Sequence, residues 1–294
     1  LIGRYARAFG LLCLVGTAQA HDIKLSTWNL DWLTVRPAGD PAIPPDVGRR
    51  TDQDFARLAA YARRLNADVV AFQEVDGPAV ARRVFPTDAY RLFLTDDPVS
   101  QRVGLAVRGD IAVTVNPELT ALNVTGPQAS HPLRGGLDMT LRGGSATLRV
   151  LVVHLKTGCW DQPLTQKAYS CPTLRQQFAV LDDWVLERQD EGEAFAILGD
   201  FNRRLTLADP MMQALEADAP MTLTTAGHAS PCWGGEYFID HILLGNAARQ
   251  WLVPDSLRVM LYRDAKEEDR ARLSDHCPVS VTLRLPDDPA PAGG

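Results

Sequence analysis

The sequence predicts an α/β fold in which two β-sheets pack face to face with helices outside. Three observations carry this. Short apolar runs bounded by polar, Gly or Pro residues recur along the chain; two amphipathic helical segments flank these runs without alternating strictly with them; and the middle section reads as hairpins.

Taken in order, "IKLSTWNL" (23–30) is the first buried strand, and the Pro-rich stretch 36–48 after it is a loop. Between Thr51 and Leu65, Phe55, Leu58, Ala62 and Leu65 recur at helical spacing, with Thr51 as cap and Asp54 three residues on. "DVVAFQEV" (68–75) and "VGLAVR" (103–108) are the next strands. "GGLDMTLRGGSATLRVLVVHL" gives two strands joined around Gly143-Gly144, the second being "LRVLVVHL" (148–155). Leu174, Phe178, Leu181 and Val185 mark a helix from Thr173 to Arg188. "AFAILGD" (194–200), "YFIDHILL" (237–244) and "CPVSVTLRL" (277–285) complete the strands, most of them too apolar for a one-sided sheet. No internal repeat or linker divides residues 21–286, and 287–294 read as a disordered tail.

A hydrophobic content of 46% in 294 residues allows a sizeable core and excludes disorder as the default. Residues 1–20 carry Arg4 and Arg7, an apolar stretch from Ala8 to Val15, and Ala18-Gln19-Ala20, which reads as a signal peptide cleaved after Ala20. A membrane anchor would need about 20 apolar residues, and this run is shorter. The expected location is therefore secreted or periplasmic, with no transmembrane anchor. Cleavage removes two of the 30 basic residues and none of the 36 acidic ones, moving the formal charge from −6 to −8. Bulk charge offers no nucleic-acid footprint, although a cation and a local arginine cluster can reverse the sign of one cleft.

Of five cysteines, Cys159, Cys171, Cys232 and Cys277 remain after cleavage. In an oxidising compartment pairing is the first expectation, with three connectivities available. Cys159 and Cys171 bracket a polar loop and are expected to staple it. Cys277, inside an apolar run, is expected to be a buried thiol. No Cys-x-x-Cys spacing suggests a metal cluster.

Polar residues gather at the strand ends. "TWNLDW" places Asn29 and Asp31, "AFQEV" Gln73 and Glu74, "VVHLK" His154, "GDFN" Asp200 and Asn202, "FIDHIL" Asp240, and "LSDHCP" Asp275 and His276. Alone, "GDFN" is ordinary turn chemistry; together these ends imply one cleft. With these motifs in this order from about Ile23 to Leu285, the chain resembles the endonuclease/exonuclease/phosphatase superfamily. The resemblance implies a four-layered α/β sandwich of two mixed sheets and metal-assisted hydrolysis of a phosphoester. It also implies a phosphodiester substrate, nucleic acid first, and a monomer with no stable protein partner.

The chemistry of each position supports the same reading. Phosphoester hydrolysis requires a cation, an activated water and donors to phosphoryl oxygens. Glu74 with Asn29 and Asp31 offers hard oxygens for Mg²⁺ or Mn²⁺, and a lone Glu74 would be costly after "VVAF". His276 and Asp240 are expected to pair, the carboxylate fixing the imidazole tautomer. Asp200 is the expected proton acceptor for water, Asn202 a donor to the phosphoryl oxygen, and His154 a phosphate ligand. Asp275 is either a turn residue or, by the Ser274-Asp275-His276 pattern, a metal ligand. Arg134 is either a solvated strand-end arginine or a phosphate clamp that binds substrate. His241 should face away from Asp240 and be structural; His21, His131 and His228 carry no pattern. Arg203 and Arg204 remain open between substrate approach and solvated turn.

Two competing functions bear weighing. A phospholipid or sphingomyelin phosphodiesterase would expose aromatics, for which Trp32, Trp160 and Trp233 are available. A catalytically inactive binding module would have lost one of Glu74, Asp200, Asn202, Asp240 or His276. A serine hydrolase lacks its Gly-x-Ser-x-Gly elbow.

Overall fold

Strict alternation along the apolar runs sends side chains to two opposed faces, and the computed structural model shows both faces covered. It describes residues 21–126, 128–167 and 170–286; residues 1–20 and 287–294, on which the expected signal peptide and tail fall, lie outside these. The strands are β1 (His21–Leu33), β2 (Val69–Val75), β3 (Tyr90–Leu94), β4 (Arg102–Arg108), β5 (Ala112–Val115), β6 (Leu137–Gly143), β7 (Ala146–His154), β8 (Phe195–Asp200), β9 (Met221–Leu223), β10 (Asp240–Gly245), β11 (Arg258–Val259) and β12 (Val279–Leu285). The helices are α1 (Asp52–Leu65), α2 (Pro78–Ala81), α3 (Cys171–Asp190), α4 (Pro210–Asp218) and α5 (Ala248–Trp251).

Two six-stranded sheets result, ordered β11-β12-β1-β2-β4-β3 and β5-β6-β7-β8-β10-β9. Both are mixed, because β1 runs parallel to β2 and β7 parallel to β8 while their other partners are antiparallel. On β2, Val69 and Ala71 face the second sheet, while Val70 and Phe72 face outward. Leu25, Leu105 and Val281 meet Met139, Val150, Leu198 and Ile242 between the sheets. Outside the first sheet, Trp28 and Phe72 pack on Phe55, Leu58, Ala62 and Leu65 of α1. Outside the second, Leu151 and Ile197 pack on Leu174, Phe178, Leu181 and Val185 of α3. The fold is therefore the expected four-layered α/β sandwich.

α1 begins with the capping box foreseen at Thr51. Its hydroxyl accepts from Asp54 N, and the Asp54 carboxylate accepts from Thr51 N at 2.8 Å, an arrangement that stabilises a helix start by about 1 kcal/mol. At the other end Asn66 takes the left-handed conformation, φ 47°, that terminates helices.

The strands that the apolar pattern left unmarked, β3, β5, β9 and β11, are the four sheet edges. An edge strand buries less, so its sequence carries less alternation; β5 has no buried residue. β10 starts at Asp240, three residues after the apolar run begins, and Tyr237 there is 70% exposed.

Cys159 and Cys171 are disulfide-bonded, as expected. Cys277 is not a free thiol: it is bonded to Cys232, with Cα atoms 5.7 Å apart. The apolar run misleads because the strand begins only at Val279, leaving Cys277 in the preceding loop, where the turn at 232–234 meets it. This bond closes a separation of 45 residues and ties the β9–β10 connection to the loop carrying Asp275 and His276. Replacing both Cys232 and Cys277 by Ser should lower unfolding stability by about 2–4 kcal/mol without reductant, measured by urea denaturation. An unchanged midpoint would contradict the pairing.

Candidate active site

The cleft is the polar continuation of the inter-sheet core. On β1 the inward stripe Ile23, Leu25 continues to Thr27 and Asn29; on β2, Val69 and Ala71 lead to Gln73. On β7, Val150 and Val152 lead to His154; on β8, Ala196 and Leu198 lead to Asp200; on β10, Asp240 precedes Ile242 and Leu244 on the same face. Register aligns these ends. Asn29 pairs with Gln73 in one sheet, while Asp200 sits between His154 and Asp240 in the other.

Beyond these ends the chain turns through left-handed backbone at Asp31 (φ 46°), Trp32 (50°), Glu74 (62°) and Asn202 (50°). Such conformations cost of order 1–3 kcal/mol each outside glycine and concentrate at functional sites. At Glu74 the turn brings to the interior a side chain that simple alternation would send outward. Gly199 permits the close approach of β8 to β7: a Cβ there would lie 1.9 Å from the Val153 carbonyl oxygen.

At the floor of the cleft one amide joins the two sheets. Asn29 Nδ2 donates to Glu74 Oε1 at 3.0 Å and to Asp200 Oδ2 at 3.1 Å, while its Oδ1 accepts from Asp31 N at 2.9 Å. Trp32 N donates to Glu74 Oε2 at 3.0 Å. Asp200 accepts at Oδ1 from Asn202 N at 2.7 Å and at Oδ2 from Asn202 Nδ2 at 3.1 Å. His276 Nδ1 lies 2.7 Å from Asp240 Oδ2, and its Nε2 faces Asp200 at 3.9 Å and Asp275 at 3.7 Å. His154 Nε2 stands 3.5 Å from Glu74 and 3.7 Å from Asp200.

Burial and crowded charge set the protonation states. Burial raises Asp200 to about 7, with Asp240 and Glu74 adding to it against the opposing pull of His276. Burial and then Asp275 raise Asp31 to about 7. Burial alone would lower His276, but Asp240, Asp200 and Asp275 outweigh it and hold the imidazole well above its ordinary value. His154 moves the other way: burial, then Arg134, keep it neutral. The same type of residue thus serves as cation on one side and as neutral ligand on the other.

All the residues expected to carry the chemistry line one cleft of about 540 Å³ or lie directly beneath it. Asp31, Glu74, Asp275, His154, Asp200, Asn202 and His276 line it; Asn29 and Asp240 lie behind them, bonded to Asp200 and His276. Arg134 lines it too, but is not the solvated arginine that was one alternative. It is buried, its Nε donating to the His154 carbonyl at 2.9 Å. Both Asn29 amide hydrogens are committed to carboxylates and its oxygen accepts from Asp31 N, so Asn29 brackets the acids. One expected role changes. Both Asn202 amide hydrogens go to the Leu155 carbonyl and Asp200, so Asn202 orients Asp200 and is not poised to donate to phosphate. His241 does face away, bonded to Thr225 Oγ1 and the Arg203 carbonyl.

Other contributors carried no sequence signal. Arg50, with side chain 1% exposed, donates to the carbonyls of Leu30, Asp31, Trp32, Arg272 and Leu273, pinning the two loops that hold Asp31 and Asp275. Ser274 Oγ donates to the Asn29 carbonyl and accepts from His276 N. His131 and Lys156 line the cleft wall beside Arg134. Of the three tryptophans considered for a membrane face, Trp160 is exposed, whereas Trp32 is half-buried and Trp233 donates to the Ser274 carbonyl. A separate hollow of about 620 Å³ under the Pro-rich loop holds none of these groups.

Two sets of side chains, Glu74–His154–Asp200 and Asp200–Asp240–His276, each offer ligand atoms within 4.8 Å of one another. The carboxylate oxygens of Glu74 and Asp200 are hard donors of the kind that suit Mg²⁺ or Mn²⁺, with the neutral His154 imidazole beside them.

A two-sheet sandwich with an acid- and imidazole-bearing cleft at one end of both sheets defines a class of phosphoester hydrolases. The chain belongs to the endonuclease/exonuclease/phosphatase family, whose model matches residues 26–276. Its fold is similar to that of truncated Caenorhabditis elegans TDP2, with 16% identity, TM-score 0.59, and coverage of 90% of this chain and 98% of the other. D. rerio TDP2 complexed with a single-strand DNA product gives 18% identity, TM-score 0.59 and coverage of 90% and 99%. The Neisseria 3′ phosphatase NExo bound to a product DNA hairpin gives 20%, 0.55, and 90% and 100%. No curated protein matches the chain in sequence.

A carboxyl raised by folding destabilises the protein where it is ionised: the favourable, protonated contribution is fully present below about pH 4 and is lost as the pH rises through about 7. Asp31→Asn should therefore leave the metal-free melting temperature nearly unchanged at pH 4 and raise it by at least about 2 °C at pH 7. A pH-independent difference would refute the crowded-charge account.

Proposed function

We propose that the protein is an exported, Mg²⁺- or Mn²⁺-dependent phosphodiesterase acting on nucleic acid. The observation that carries this reading is the single amide that holds Glu74 and Asp200 together, with a neutral His154 and a cationic His276 on either side. Glu74, with the Asp31 and Asp275 carboxylates in the same cleft, would hold the ion, whose chemistry when bound would be to offset charge on the phosphoryl oxygens.

The remaining roles belong to the side chains. Asp200, held by both the backbone and side-chain nitrogens of Asn202, takes the proton from the attacking water. His276, fixed by Asp240 with Nε2 toward the cleft, donates to a phosphoryl or leaving oxygen. Arg134 and Lys156 add positive charge on the opposite wall, where a polyanion needs it in an acidic chain. Completeness also argues against an inactive binding module, because every group such a copy would lose is present and directed to one cleft.

Export rests on residues 1–20 and gains support from the two disulfides, which persist in oxidising compartments. N-terminal sequencing of the protein made in a secreting host should begin at His21.

With Mg²⁺ or Mn²⁺ the protein should hydrolyse an activated bis-aryl phosphodiester, and excess chelator should abolish the activity; hydrolysis persisting in chelator would sink the metal reading. Asp200→Ala and His276→Ala should each lower kcat at least ~10²-fold with the melting transition retained. Asp240→Asn removes the charge that keeps His276 protonated, so the alkaline limb of its pH–rate profile should move to lower pH.

A further inference from the structure

The two arginines after Asn202 have opposite surroundings. Arg203 is buried: Nε and Nη2 meet Asp209 at 2.9 and 2.8 Å, and Nη1 donates to the carbonyls of Cys159 and Gln162. It fixes the loop closed by the Cys159–Cys171 bond. Arg204 is 40% exposed and fixes the next layer out. Its N donates to the Trp160 carbonyl at 2.8 Å, its Nη1 meets Asp161 at 2.6 Å, and its guanidinium lies 4.9 Å from the Tyr237 ring centroid.

Arg204 thus stacks near the Tyr237 ring and ties its own backbone to that of Trp160, and both aromatic side chains, Trp160 and Tyr237, remain open to solvent, 41% and 70% exposed. Trp160 lines the catalytic cleft; Tyr237 stands three residues before Asp240 and lines a neighbouring hollow of about 560 Å³ with Arg204 and Leu164. Tyr237 also lines a small hollow with Asp240, Asp275 and His276, so both aromatics border the reacting groups.

Aromatic faces left in water beside a catalytic cleft are a recognition device, and flat rings with a guanidinium suit the π-face of a nucleobase. The rim is concave, Arg204 is already paired with Asp161, and the chain is acidic, which together disfavour an anionic bilayer. In a duplex the base faces are already covered by their neighbours. We propose that Trp160, Arg204 and Tyr237 form a base-stacking subsite, so that the substrate is a single-stranded polynucleotide whose base beside the scissile phosphate lies against this rim. This rests on the phosphodiesterase reading above and narrows its substrate.

The test compares binding of a phosphorothioate-linked dT octamer with that of the same backbone lacking bases, by fluorescence anisotropy in Mg²⁺. The intact protein should prefer the base-bearing oligomer at least about 10-fold, as stacking of ~1–3 kcal/mol per base predicts. Trp160→Ala and Tyr237→Ala should each cut that ratio at least about 3-fold, and Tyr237→Phe should retain it because the ring, not the hydroxyl, does the stacking. Both side chains are exposed, so the melting temperatures should stay within about 2 °C of the parent. Equal affinity for the two oligomers overturns the proposal, as does a ratio that Trp160→Ala and Tyr237→Ala leave unchanged. Binding to sphingomyelin–phosphatidylcholine vesicles that these variants abolish, without base preference, would assign the rim to lipid instead. Hydrolysis of the bis-aryl phosphodiester by the same preparation separates the two levels: activity without base preference overturns this subsite and leaves the phosphodiesterase reading standing.

Discussion

One side-chain amide links the two sheets at the cleft floor, and the arrangement of the site depends on it. Asn29 ends the inward stripe of β1, yet its nitrogen holds a carboxylate that follows β2 and another that ends β8 in the opposite sheet. Two buried acids this close repel each other, and a neutral double donor between them satisfies both without adding charge. The Asn29 oxygen is anchored by the turn at Asp31, and the Asn29 carbonyl by Ser274, whose hydroxyl also receives His276 N. Through Asn29 and its neighbours Glu74, Asp200 and the cationic His276 are placed relative to one another.

Such a site opposes the stability of its own scaffold. Left-handed backbone at four non-glycine positions and two acids lifted to about 7 all disfavour the folded state, so the strands that carry them must be secured elsewhere. Three apolar layers, the capped α1 and the Cys232–Cys277 bond do this. Arg50 does it locally: five carbonyls gathered on one buried guanidinium fix loops that possess no regular hydrogen-bond ladder.

The interior strands and both long helices were legible because each buries a complete face, which forces a periodic apolar pattern. β3, β5, β9 and β11 were not, because an edge strand needs fewer apolar residues. Site membership was legible for the same reason as the strands: a polar residue just beyond an apolar stripe has nowhere to go but a cleft. Roles were less legible. Asn202 looks like a phosphate donor by type, but its amide hydrogens are taken by Asp200 and by the Leu155 carbonyl, 47 residues away. Cys277 looked like a core thiol because an apolar run does not reveal where pairing begins.

By itself the sequence determined the layered α/β class, the strand ends that converge and the kinds of group they bring, since periodicity and residue chemistry are local properties. Only the tertiary structure decided which His is cationic and which neutral, which cysteines pair, and that Arg203 is an internal strut while Arg204 is half-exposed beside the Tyr237 ring. Each of these turns on burial and on partners tens to hundreds of residues away. Distances and desolvation of that kind come into being only when the two sheets close on each other.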